Sequence, residues 1–82
     1  MIAADPLLQA DREVDARGLN CPLPILRTKK TLNEMTSGQT VRVRTTEPQS
    51  VRDFQNFARQ SGNELVGHGE DGSAFWFVLR RR

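Results

Sequence analysis

Groups that carry chemistry are scarce in this 82-residue chain: one cysteine, one histidine and no tyrosine. A single cysteine excludes an intramolecular disulfide and any cysteine-rich metal site, so neither a metal nor a cofactor is expected. His68 lies far along the chain from Cys21. A cysteine–histidine hydrolase therefore has no local pairing, and His68 reads as an exposed strand-end residue. No hydrophobic run approaches the ~18 residues of a membrane span. Twelve Lys and Arg against ten Asp and Glu leave only +2, which argues against direct nucleic-acid binding. Apolar residues make up 37% of the chain. A core this small supplies roughly 3–5 kcal/mol of net stability, so a large buried cavity is not expected and function belongs on the surface.

Residues 1–10 read as a loose leader, with residues 11–82 as a single domain. The leader has no basic start, and Asp5 and Pro6 break up its apolar residues, so it is not a signal peptide. Without that signal or a second cysteine, a reducing cytoplasm is the expected compartment.

The elements follow from periodicity. Arg12, Val14 and Ala16 alternate with Glu13 and Asp15 in a short strand. Pro22 and Pro24 suit only the first turn of a helix. From Ile25 onward Ile25, Thr28, Leu32 and Met35 share one face, and Ser37-Gly38 ends the helix. Val41, Val43 and Thr45 alternate with Arg42 and Arg44 in a second strand. Pro48 opens a second helix with an apolar stripe of Val51, Phe54, Ala58 and Ser61, Phe57 at its edge and Gly62 at its end. Glu64 to His68 forms a short third strand, Glu70-Asp71-Gly72 a hairpin turn, and Ser73 to Arg80 the last strand. The order βαβαββ predicts a two-layer α/β (α+β) sandwich: a four-stranded mixed sheet with two helices on one face. The other sheet face then meets solvent with Arg42, Arg44 and Trp76.

Cys21 is the one plausible nucleophile. It precedes Pro22 at the expected N-cap of the first helix, where free N–H groups and the helix dipole favour a thiolate below the ordinary value of about 8.5. Pro24 offers no N–H, which leaves the amides of Leu23 and Ile25 as donors, and Arg17 would add a positive charge. The competing reading is a small buried cysteine; residue pattern alone leaves both open.

Asp15-Ala16-Arg17-Gly18-Leu19-Asn20-Cys21-Pro22-Leu23-Pro24 resembles the TusA/SirA-like signature Asp-x-x-Gly-Leu-x-Cys-Pro-x-Pro. The resemblance covers roughly Val14 to Arg80. Glu47-Pro48 followed by Arg52-Asp53 is similar to the family's second, looser landmark. The resemblance implies a sulfur carrier whose motif cysteine, here Cys21, takes a sulfane sulfur as a persulfide. It also implies a pyridoxal-phosphate cysteine desulfurase or rhodanese-like sulfurtransferase as donor. A downstream relay protein is the implied acceptor, as in tRNA thiolation, and turnover needs these partners. Asp15, Arg17, Gly18, Leu19, Pro22 and Pro24 would support the site. The chain departs from some members in having Ala58 where they carry a further cysteine, and Thr46 where they carry an acidic residue. An internal resolving thiol is thereby excluded.

Leu23, Arg27 and Lys30 on the outer face of the first helix are candidate partner contacts. Arg27 and Lys30 would steer an acidic surface, against the plainer reading of a solvated face with a Lys30–Glu34 pair. The alternative function is an RNA- or protein-binding module that uses Arg42, Arg44 and Trp76, with Cys21 structural.

Overall fold

The computed structural model describes residues 10–82, so the expected leader lies almost wholly outside the described residues. The elements are β1 (Arg12–Ala16), α1 (Leu23–Asn33), β2 (Thr40–Thr45), α2 (Ser50–Ser61), β3 (Glu64–Asp71) and β4 (Ala74–Arg80). The sheet order is β1-β2-β4-β3. β1 and β2 are parallel, while β4 runs antiparallel to both β2 and β3. The mixed four-stranded sheet of the sequence reading is therefore present. α1 touches β1 and β2, α2 touches β3 and β4, and the two helices touch each other.

Both helices bury the face that their spacing dictates. Pro24, Thr28 and Leu32, four residues apart, form the inner stripe of α1, and the Thr28 hydroxyl donates to the Pro24 carbonyl at 2.8 Å. In α2 the buried stripe is Ser50, Phe54 and Phe57. Phe57 thus belongs to the core rather than its edge, and Val51 and Ala58 flank it half-buried. The Phe54 ring stacks on Phe77 of β4 with centroids 4.4 Å apart. Val14, Ala16, Val41, Val43, Leu79 and Met35 complete the core around that pair.

Three boundaries differ from the sequence reading. α1 stops at Asn33 rather than near Ser37, because Glu34 and Met35 bond back only three residues, to the Thr31 and Leu32 carbonyls. Gly38 and Gln39 bond instead to Arg81, just past the end of β4, at 2.8 Å each. β3 runs on to Asp71 through an irregularity at Val66. The hairpin loop becomes Gly72-Ser73, with Gly72 at φ 64°.

The open face of the sheet is more closed than expected. Val78, in register with Arg42 and Gly67, is fully buried there. Arg42 pairs with Glu13 and Arg80 with Glu64, each directly across strands at 2.7 Å.

Candidate functional site

Because β1 and β2 are parallel, their carboxyl ends and the starts of α1 and α2 share one edge of the molecule. The motif loop turns there. Gly18 adopts φ 81°, a conformation that favours glycine, and the Leu19 N–H donates to the Ala16 carbonyl at 3.2 Å. The Gly18 N–H donates to the Thr46 hydroxyl at 2.9 Å. Thr46 thereby ties the loop that carries Cys21 to the loop that opens α2.

Cys21 is exposed, so it is not a core residue. It lies one position before the N-cap of α1, which is Pro22, and Pro24 occupies the first turn. The Cys21–Pro22 peptide is cis.

Two expected sources of thiolate stabilisation are already committed elsewhere. The Leu23 N–H donates to the Asn20 carbonyl at 2.8 Å. Arg17 forms a two-pronged pair with Asp15, Nε and Nη2 each at 2.9 Å, and its own N–H also reaches that carboxylate. That pair holds Asp15 down at about 2.

What meets the thiol instead is acid from α2. Hydrogen bonding toward the Asp53 carboxylate, desolvation, and the Asp53 and Glu47 charges all push the thiol pKa up. The expected lowering is therefore reversed. Asp53 is the site residue that the sequence reading left out, although it stands in the Arg52-Asp53 landmark. That landmark was the available signal.

The remaining candidates fall in separate places. Leu23 is 46% exposed, beside Cys21, and Leu26, one turn further along, is 51% exposed. The i, i+3 spacing from Leu23 was the missed signal for Leu26. Arg27 and Lys30 are exposed on the same helix. Lys30 has no pair with Glu34, which binds Arg12 at 3.0 Å instead. Leu19 is half-buried against the core. His68 is exposed on β3, with its ring 6.1 Å from that of Phe77.

On the open sheet face, Arg42, Arg44 and Trp76 line a shallow cleft that also holds Glu70 and Asp71. Trp76 is half-buried, its ring edge over Gly69, where a Cβ would come within 2.8 Å of it. Among the described residues, no group of acidic, histidine or cysteine side chains is arranged to hold a metal. No helix there is long and apolar enough to cross a membrane.

Comparison with known proteins supplies the family. Residues 12–81 match the model of the sulfurtransferase TusA. The chain is 58% identical to the sulfur carrier protein TusA of Allochromatium vinosum over 71 residues, covering 87% of this chain and 93% of that protein. It is 34% identical to the putative sulfur carrier protein YrkI of Bacillus subtilis, covering 90% of this chain and 99% of that one. Among solved structures, a SirA-like protein from Desulfitobacterium hafniense superposes with a TM-score of 0.75 at 27% identity, covering 84% of this chain and 95% of that one. With the motif loop, the fold and these relatives in agreement, the chain belongs to the TusA sulfurtransferase family.

Proposed function

We propose that this protein carries sulfane sulfur as a persulfide on Cys21, received from a cysteine desulfurase or rhodanese-like donor and handed to a downstream relay protein. The observation that carries the reading is an exposed cysteine, the chain's only one, in the family's motif loop, flanked by exposed Leu23 and Leu26. A relay needs a sulfur that two partner sites can reach in turn, and an exposed cysteine beside a helix start offers that access. The leucines supply an apolar contact, and Arg27 and Lys30 add charge that quickens encounter with an acidic partner. Relay toward tRNA thiolation in the cytoplasm is the proposed outlet. Asp15, Gly18, Pro22 and Pro24 shape the loop, with Arg17 acting through Asp15.

The binding-module reading has less support. Arg42 is engaged by Glu13, Trp76 is half-buried, and the cleft carries both signs of charge. Incubation with a cysteine desulfurase, cysteine and pyridoxal phosphate, followed by intact mass measurement, tests the proposal. A gain of one sulfur on the wild type, absent in Cys21→Ser, is expected. Failure of every desulfurase and rhodanese donor to load the protein overturns it.

A further inference from the structure

The loop that carries Cys21 runs between two buried points, Ala16 at the end of β1 and Pro24 in the first turn of α1. Between them every residue is exposed except Leu19, which is half-buried against the core. Most hydrogen bonds of the loop are local: Arg17 to Asp15, Leu19 to Ala16, Leu23 to Asn20 and Leu26 to Pro22. One is not. The Gly18 N–H donates to the Thr46 hydroxyl at 2.9 Å, and among the described residues this is the one hydrogen bond from residues 17–22 to a distant segment.

The acceptor is well anchored. Thr45, the residue before it, is fully buried and sits in register with Ala16. The hydroxyl is therefore fixed by the same strand pair from which the loop departs. Packing of Leu19 holds the loop down but is non-directional. The hydrogen bond has a required line and length, and so sets where the loop points. Cys21 follows Gly18 by three residues.

We propose that Thr46 is a positioning residue for sulfur transfer between proteins: its hydroxyl, through Gly18, fixes the place at which Cys21 meets a partner's persulfide. The inference rests on the carrier reading above. In the step, the Cys21 thiolate, formed by loss of its proton to water, attacks the outer sulfur of a donor persulfide, R–S–SH. The Sγ–S bond forms, the donor's S–S bond breaks, and the donor sulfur leaves with the bonding pair. The sum is Cys21–S⁻ plus R–S–SH giving Cys21–S–SH plus R–S⁻, with no outside oxidant or reductant. Such a displacement needs the three sulfurs close to one line. A protein donor docked on the exposed Leu23 and Leu26 cannot adjust its own persulfide to a wandering acceptor. A misplacement of about 1 Å can then cost roughly 100-fold. A small donor diffuses to the sulfur wherever the loop puts it and incurs no such loss.

The test compares two donors in single-turnover loading of the full chain, followed by intact mass. One is a persulfidated cysteine desulfurase at saturating concentration, the other glutathione persulfide. Iodoacetamide alkylation of Cys21 reports thiol reactivity. Thr46→Val, which keeps the side-chain shape and loses the hydroxyl, is expected to slow loading from the desulfurase by at least about tenfold while small-donor loading and alkylation stay within about twofold. Thr46→Ser should restore the protein-donor rate. A uniform fall with both donors overturns the proposal, because Thr46 would then act on thiol reactivity or on the fold. So does an unchanged rate with the desulfurase, a slowing that saturating donor removes, or a failure of Thr46→Ser to recover the rate. If Thr46→Val loses its circular dichroism signal, Thr46→Ala provides the same comparison. A wild type that no protein donor loads refutes the carrier reading itself; a wild type that loads, with Thr46→Val keeping pace, refutes only the role of Thr46.

Discussion

α1 and α2 both begin at the carboxyl end of a parallel strand, both have a proline near the start, and both end their loops at the same edge of the sheet. Their first turns differ in charge. That of α1 holds no acid and carries the thiol just before it, whereas that of α2 holds Asp53. Helix α1 offers its sulfur the partial positive charge of a dipole, about half an elementary charge. Helix α2 offers the same sulfur a full negative charge and a hydrogen-bond acceptor. The full charge outweighs the partial one, and the thiol is raised rather than lowered. A helix start therefore does not fix the acidity of a cysteine on its own; what the neighbouring helix brings to it decides the sign.

The comparison breaks first at the sulfur. Cys21→Ser should abolish loading, measured as the mass gain of one sulfur, and leave thermal unfolding within about 0.5 kcal/mol because the side chain is exposed. A large loss of stability would mean that Cys21 serves the fold. Next come the anchors that hold the two helices. Phe54→Ala, which empties the stack on Phe77, should cost about 3–5 kcal/mol in urea unfolding, and Leu32→Ala in α1 about 2–5 kcal/mol. A larger loss at Leu32 would reverse the ranking of the two helices.

The strip that joins the two units should show a smaller effect. Thr46→Val removes the acceptor of the Gly18 N–H and should cost about 1 kcal/mol. It should also disturb loading more than stability if it moves Cys21 relative to Asp53. Arg17→Ala is the smallest change. Because Arg17 is spent on Asp15, the alkylation midpoint of Cys21 should stay where it is. The pair does predict an acid effect. The folded-state pKa of Asp15 is about 2, below the ordinary carboxylate value of about 3.9. Its contribution is thus present above that ordinary value and fades as pH falls toward 2. Arg17→Ala should remove that acid-side slope from a stability–pH profile.

Much of the fold was legible because it is written in local periodicity. The alternation of Val41, Val43 and Thr45 and the spacing of Thr28 and Leu32 each name a face without reference to the rest of the chain. The errors arise where a distant segment intervenes. Ser37-Gly38 reads as a helix stop, but α1 already ends at Asn33 and Gly38 bonds to Arg81 beyond the end of β4. Val78 alternates as an open-face residue, yet the register with Arg42 and Gly67 leaves it buried. The site divides in the same way. Cys21, Leu23 and the motif glycine were legible from one continuous stretch. The effect of Asp53 on the Cys21 thiol links the start of α2 to the loop before α1, which only the parallel pairing of β1 and β2 brings to one edge, and no spacing rule within either segment encodes it.

The most direct measurement is the pH dependence of Cys21 alkylation in the folded protein and in the same protein unfolded in urea. The unfolded thiol should titrate near the ordinary value of about 8.5. Folding raises the thiol pKa, so the stability tied to it is complete below that value and is lost as pH rises through the folded midpoint. A folded midpoint above the unfolded one is the predicted result, with Asp53→Asn bringing the two closer together. A folded midpoint below the unfolded one would mean that the start of α1 governs the sulfur and that the Asp53 and Glu47 carboxylates do not.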